Sequence, residues 1–509
     1  MRPLLMDRDR DFEITARSPS NAGYLIQDLD LETLFQAMSG GDRFLHEVVA
    51  KAVLSSLTDP EAIRYRQAIL RDCLEQAAVV RQMYDLAKEA VAGEKKIWGV
   101  FSKTPQSILH RSTDVMEHFL RALRLLRRIA DEHGAAFRSE GLTRFIQMLQ
   151  SELDDAYFTA LEDQLRQLRF RKGVLISAEL GEGNAGTAHT LRRPFEDSRR
   201  WRDRILPRHA TGYSFEVAER DESGLQALGE LRGRGINRVA EVLARAADHI
   251  LGFFTVLQAE LGFYVGCLNL RYHLGQKGEP VCMPECRAAG EAAPSSRGLY
   301  DVCLTLHVHP RVVGNDIEAG NAQLVIITGA NQGGKSTFLR GVGLAYLMMQ
   351  CGMFVAAESF AGAVCDGLFT HFKREEDATM ESGKLDEELR RLSRIADRIG
   401  PRSVLLCNES FASTNEWEGS EIGREVIGAL LQADVRVFLV THLFELARGY
   451  HQQRSGNVLF LRAERHADGS RTFRILPAEP LPTSYGKDLY ERILGDGNLA
   501  VSALSAGGA

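Results

Sequence analysis

The stretch Leu324–Thr337, LVIITGANQGGKST, decides how the rest of the chain is read. Leu324 to Thr328 is a run of β-branched and aliphatic residues, which predicts a short buried strand. It feeds the loop Gly329, Ala330, Asn331, Gln332, Gly333, Gly334, Lys335, Ser336 and Thr337. Gly329, Gly334, Lys335 and Ser336 stand at the G-x-x-x-x-G-K-[ST] spacing of a phosphate-binding loop. Glycines let backbone N–H groups turn inward around an anion, Lys335 adds a point charge, and the Ser336 hydroxyl suits Mg²⁺. The pattern from Phe338 to Gln350 is helical, so the anion would sit at a helix N-terminus. The expectation is therefore a nucleotide site that takes ATP and Mg²⁺.

A phosphate loop alone binds; hydrolysis also needs metal support and an oriented water. Ser403 to Cys407 is a second apolar strand, and it ends in Asn408 and Glu409. P-loop ATPases usually place Asp and then Glu there, so Glu409 is the candidate base and Asn408 the metal-side partner of Ser336. Asn accepts a hydrogen bond through its carbonyl oxygen but lacks the charge that helps hold Mg²⁺. The next strand, Val435 to Thr441, ends at His442, placed to sense a terminal phosphate. The catalytic candidates are Lys335, Glu409 and His442.

Working outward, 509 residues at 44% hydrophobic and 26% charged are enough for two to four globular domains. The N-terminus, MRPLLMDRDRDF, has no apolar segment of a secretory signal, and no uninterrupted apolar run approaches membrane length. The most apolar long stretch, Ile250 to Leu270, carries Gln258, Glu260 and Asn269 and reads as a buried helix, so the expected location is cytoplasmic and away from membranes. Eight scattered cysteines, with only Cys282 and Cys286 close together, point to free thiols. A net charge of −6 confines any nucleic-acid surface to a local patch.

Residues 1–23 show no period and are expected to be a loosely ordered lead-in. From 24 to about 275 the pattern is mainly helical, with helices expected at Pro60–Ala92, Ser107–His133, Leu142–Leu168 and Gly224–Leu270. The exception lies near 170–217, where Gly173–Glu179 and Thr187–Arg193 read as a hairpin. Between Arg166 and Arg208, eleven basic and five acidic residues give a local charge of +6, with Trp201 and Phe195 among them. Arg192, Arg193, Arg199, Arg200, Arg202 and Arg204 are the DNA-contact candidates. A solvated helix face laced with ion pairs explains the same charge equally well. A break rich in Gly and Pro at Gly275–Ser296 opens a second domain, 276–509. There the strand-like runs Asp301–His307, Leu324–Thr328, Ser403–Cys407, Val435–Thr441, Val458–Arg462 and Phe473–Leu476 alternate with helices, as in an α/β domain.

Several of these residues together resemble the DNA mismatch-repair MutS family. They are His309-Pro310, Asn315-Asp316-Ile317, the run ITGANQGGKSTFLR, Thr441-His442 and Ser484-Tyr485-Gly486. LTDPEAIRYRQAIL, from Leu57 to Leu70, is similar to that family's helical core. The resemblance implies a multidomain chain in which an α-helical core and lever region precedes an α/β, ABC-like P-loop ATPase domain. It also implies a homodimer of heads that traps ATP, and levers carrying a clamp near 170–217 that touches DNA. Ser382, Gly383 and Lys384 would then present the signature segment to the partner's nucleotide, and Ser413-Thr414-Asn415 would carry communication between sites. Three departures qualify it. No Phe-x-Glu wedge of the mismatch readers occurs, so direct mismatch recognition is not expected. Asn408 replaces an Asp, and Ser410-Phe411-Ala412 replaces a Gly- and Arg-rich loop. The chain runs only about two dozen residues past Gly486, so dimerisation is expected to depend on ATP.

Overall fold

The computed structural model describes residues 1–97, 104–171, 173–192, 214–291, 293–308, 311–373, 383–453 and 456–482. The chain divides into two compact units. One comprises Met1–Pro3, Ala78–Arg138 and Leu142–Gln258; the other comprises Leu4–Ala77, Ser139–Gly141 and Ala259–Ala509.

The first unit is built on helices whose boundaries follow capping chemistry. Thr104 accepts the Ser107 N–H and Pro105 occupies the first turn, which starts the helix Pro105–His133. The single helix expected over Leu142–Leu168 is two, Glu140–Glu152 and Asp155–Leu168. Asp154 causes the break: its carboxylate caps the second helix by accepting the Tyr157 N–H at 2.7 Å. Pro60–Ala92 is likewise interrupted at Gln76, between Pro60–Glu75, which belongs to the second unit, and Ala77–Ile97. Strands β1 (Leu175–Leu180) and β2 (Gly186–Arg192) pair antiparallel, with Leu175 opposite Arg192, and form the expected hairpin. The helix Glu222–Gln276 follows; its most apolar 18-residue window, at mean hydropathy 1.5, has a membrane span's composition but is 78% buried in the protein.

The second unit holds the two larger sheets. Strands β3 (Glu285–Arg287), β4 (Ser295–Leu299), β5 (Asn315–Glu318) and β7 (Ser359–Ala363) form a four-stranded sheet in the order β3-β7-β4-β5. Strands β6 (Leu324–Gly329), β8 (Leu368–Phe372), β9 (Val404–Asn408), β10 (Arg436–Val440), β11 (Val458–Arg465) and β12 (Arg471–Pro477) form a six-stranded sheet in the order β12-β11-β6-β10-β9-β8. All neighbours in it run parallel except β11 and β12. Both faces of such a sheet must be covered, which is why β6 reads as an uninterrupted apolar run. Every residue of β6 is buried.

Two further expectations are corrected. Asp301–His307 is not a strand: Val302–His307 is a helix, because the Asp301 carboxylate accepts the Leu304 N–H at 3.0 Å and caps it. The lead-in is not loose either, since Leu5 and Met6 are fully buried. Glu260 accepts the Leu5 N–H at 2.6 Å and the Phe12 N–H at 3.0 Å, and the Tyr264 hydroxyl donates to the Leu5 carbonyl. A segment without secondary structure is held here by long-range side-chain partners, which leave no periodic trace in sequence. All eight cysteines are free, and seven of them are buried.

Candidate functional site

In a parallel sheet the loops at the C-terminal strand ends share one edge, and ligands collect where those ends diverge. Register decides which residues meet there. Val440 of β10 lies opposite Ile327 of β6 on one side and Asn408 of β9 on the other. The residues that follow these strands, Gly329 onward, Glu409 and His442, therefore emerge side by side. Of these, Asn331 to Phe338 and Glu409 line a cavity of about 400 Å³, and His442 reaches it through Glu409.

The glycine-rich loop is shaped by its backbone. Gly329 has φ 107°, and a Cβ there would meet the Ala463 backbone nitrogen at 2.9 Å. Gly334, at φ 90°, stands as the N-cap of the helix Lys335–Gln350. The first-turn N–H groups of that helix have no intrahelical acceptor, and they face the cavity with the positive end of the helix dipole. Lys335 is buried, and its Nζ donates to the Gly329 and Ala330 carbonyls at 3.0 Å each. Burial pushes its ammonium down to about 8, against the pull of the Glu409 carboxylate. A cation held with so little solvent is poised to recover its charge preference when an anion enters.

The Ser336 hydroxyl donates to Asn408 Oδ1 at 2.9 Å, which places the two metal-side candidates together. With phosphate oxygens they would supply the hard oxygen donors that Mg²⁺ takes. Glu409 Oε1 and His442 Nε2 are 3.1 Å apart. The His442 hydrogen bond, outweighing burial, holds the Glu409 carboxyl below its ordinary value. Glu409 also adopts φ 55°, a left-handed conformation that costs a non-glycine residue about 1 kcal/mol and concentrates at functional sites.

The remaining cavity wall is largely apolar, with Asp301, Arg311 and Asn315 among it. Leu299, Tyr300, Leu304, Val308, Val312, Val313 and Phe473 line it, while Arg471 donates to the Asn331 carbonyl at 3.2 Å over the loop. Sequence reasoning missed most of these residues, because they come from separate segments and share no spacing. Asn315 was legible only by position; it ties the wall together, donating to the Phe473 carbonyl and accepting the Ile475 N–H at 2.7 Å.

Of the other sequence candidates, none among the described residues lines this cavity. Gly383 caps the helix Lys384–Ala396, and Ser382 falls outside the described residues. Asn415 caps Glu416–Gln432 by accepting the Glu418 N–H at 3.0 Å. Arg192, exposed on β2, donates to the Ser177 hydroxyl at 2.9 Å. Arg193, Arg199, Arg200, Arg202 and Arg204, together with His309-Pro310 and Ser484-Tyr485-Gly486, fall outside the described residues.

Comparison with known proteins gives two family matches, the MutS2 N-terminal domain over residues 58–277 and MutS domain V over 325–492. The chain is similar to the DNA mismatch repair protein MutS of Chloroflexus aurantiacus, 32% identical over 184 residues, which is 33% of this chain and 19% of that protein. It is similar to the Endonuclease MutS2 of Thermomicrobium roseum, 25% identical over 439 residues, 80% of this chain and 50% of that protein. The Endonuclease MutS2 of Thermus thermophilus is 30% identical over 172 residues, 33% of this chain and 23% of its own length. The chain thus spans half or less of each relative.

Proposed function

The chain belongs to the MutS family, and from that premise we propose that it is a Mg²⁺-dependent ATPase whose ATP-driven pairing of two heads governs a grip on DNA. The observation that carries the reading is register: three neighbouring parallel strands deliver Lys335 and Ser336, His442, and Asn408 and Glu409 to one edge. In the proposed reaction the helix N-terminus and Lys335 hold the β- and γ-phosphates, and Ser336 with Asn408 holds the Mg²⁺ side. Glu409, ionised and anchored by His442, orients the attacking water. The apolar wall around Tyr300, Val312 and Phe473 suits a nucleobase, whose flat faces are hydrophobic.

The DNA part of the proposal rests on the family and on the +6 segment around the β1–β2 hairpin. Homodimerisation through the heads and a cytoplasmic location complete it. The MutS2 relatives are named endonucleases, and that activity is not part of the proposal. A second reading is favoured by Asn408, whose neutral amide stands where a carboxylate would strengthen the metal site. On that reading the chain is an ATP-gated binding switch with little turnover.

Fluorescence anisotropy with labelled duplex DNA, with and without Mg-ATP, tests the coupling. Affinity that falls on the order of 10³-fold between about 50 and 200 mM salt, and that shifts when ATP is added, is the expected outcome. Absence of binding at low salt removes DNA from the proposal. Long-lived ATP-dependent dimers without phosphate release favour the switch.

A further inference from the structure

Two residues after Glu409, the Phe411 backbone also turns left-handed, at φ 68°. Two such residues flanking Ser410 need partners that fix them. Glu388 supplies one: its buried carboxylate accepts the Phe411 N–H through Oε1. His371 supplies the other. Burial and the neighbouring Arg391 push its ring down to about 4, so it is neutral and carries one N–H. The Glu388 carbonyl, 3.2 Å from Nε2, can only accept, so that N–H lies on Nε2. Nδ1 then faces the Ser410 hydroxyl at 2.7 Å, whose single proton is shared between Nδ1 and the His371 carbonyl 2.9 Å away. The Phe411 ring completes the clasp, stacking on His371 at 6.3 Å and lying within the apolar core.

Both partners lead to the same place. Glu388 sits in the helix Lys384–Ala396, which begins at the proposed signature segment. We propose that Glu388, seconded by His371 and Ser410, is a positioning residue that fixes Glu409 and makes the base and the signature helix one mechanical unit. A displacement of that helix when heads pair would then reach Glu409 of the same chain directly. The inference rests on the reading of Glu409 as the base.

Steady-state phosphate release and fluorescent-ATP binding, measured on the full chain for wild type, Glu409→Gln, Glu388→Ala and Glu388→Gln, test it. Misplacing the base should lower kcat on the order of 10- to 100-fold in Glu388→Ala. KM and ATP affinity should stay within about twofold, since Glu388 does not line the nucleotide cavity. Glu388→Gln keeps an acceptor for the Phe411 N–H and should recover most of the lost rate. Unchanged kcat in Glu388→Ala overturns the proposal. So does a parallel loss of ATP binding, or a Gln variant as impaired as the Ala variant. If Glu388→Ala does not fold, Ser410→Ala carries the same expectation of lower kcat at constant KM, and unchanged kcat overturns it. A silent wild type, or a fully active Glu409→Gln, removes the reading of Glu409 as the base; activity lost in Glu409→Gln but kept in Glu388→Ala removes only the present inference.

Discussion

Replacing Lys335 with Met separates what the loop lysine does for the empty protein from what it does for a nucleotide. The side chain is buried and keeps its charge against desolvation, with its value lowered from 10.5 to about 8. That fall sets an upper bound of about 3 kcal/mol on the cost of holding the ammonium charged at pH 7. Met removes the cost but leaves the Gly329 and Ala330 carbonyls without their donor, a loss of up to about 1 kcal/mol each, reduced by water from the open cavity. The net expectation is an apo protein more stable by about 1–2 kcal/mol. The pH dependence follows from the direction of the shift. Below pH 8 folded and unfolded chains both carry the charge and the gain is constant. Between 8 and 10.5 the folded wild type releases its proton first and gains stability, so the variant's advantage shrinks. ATP affinity should fall roughly 10- to 100-fold, the worth of a charged hydrogen bond to phosphate. Urea denaturation followed by circular dichroism at pH 7 and pH 10, with fluorescent-ATP titration, reads both effects. A variant less stable than wild type at pH 7, or one that binds ATP equally well, refutes the reasoning.

Other outcomes follow from the same geometry. Asn408→Asp puts a charged oxygen where the Ser336 hydroxyl now donates, and should lower the Mg²⁺ concentration for half-maximal turnover about tenfold; an unchanged requirement places Asn408 away from the metal. Removing the His442 hydrogen bond with His442→Ala should raise the Glu409 carboxyl toward its ordinary value of 4.5, moving the acid limb of kcat to higher pH. The stability this pair contributes is present above that value and lost as pH falls through the depressed one, so the variant should also unfold with a weaker acid dependence. Glu260 behaves oppositely: burial raises its carboxyl to about 7, so its contribution is full below 4.5 and declines as pH rises through 7. Glu260→Gln should flatten that decline in denaturation midpoints between pH 5 and 8, and an unaltered slope would show that another group titrates.

The residues that sequence made visible are those whose neighbours along the chain suffice to explain them. The run Leu324–Thr328 reads as a strand because burial on both faces demands unbroken apolar residues, and the loop after it is recognisable because phosphate chemistry fixes residue types at fixed spacing. Asp301–His307 defeated the same logic, because DVCLTLH is apolar enough for a strand and only the cap made by Asp301 turns it into a helix. The short strands Ser359–Ala363 and Leu368–Phe372 carried too little pattern to stand out, although both pair within sheets. The cavity wall was illegible for another reason: Tyr300, Val308 and Phe473 meet only through the fold. The anchoring of Leu5 by Glu260, 255 residues away, is of the same kind.

Steady-state phosphate release from Mg-ATP, compared across wild type, Asn408→Asp and Glu409→Ala, tests the central claim most directly. The account predicts that wild type turns over, that Glu409→Ala loses on the order of 10²-fold or more, and that DNA alters the rate. Phosphate release that survives Glu409→Ala unchanged contradicts it. A wild type that stays silent until Asn408→Asp awakens it would make the chain a nucleotide-bound switch in place of a working ATPase.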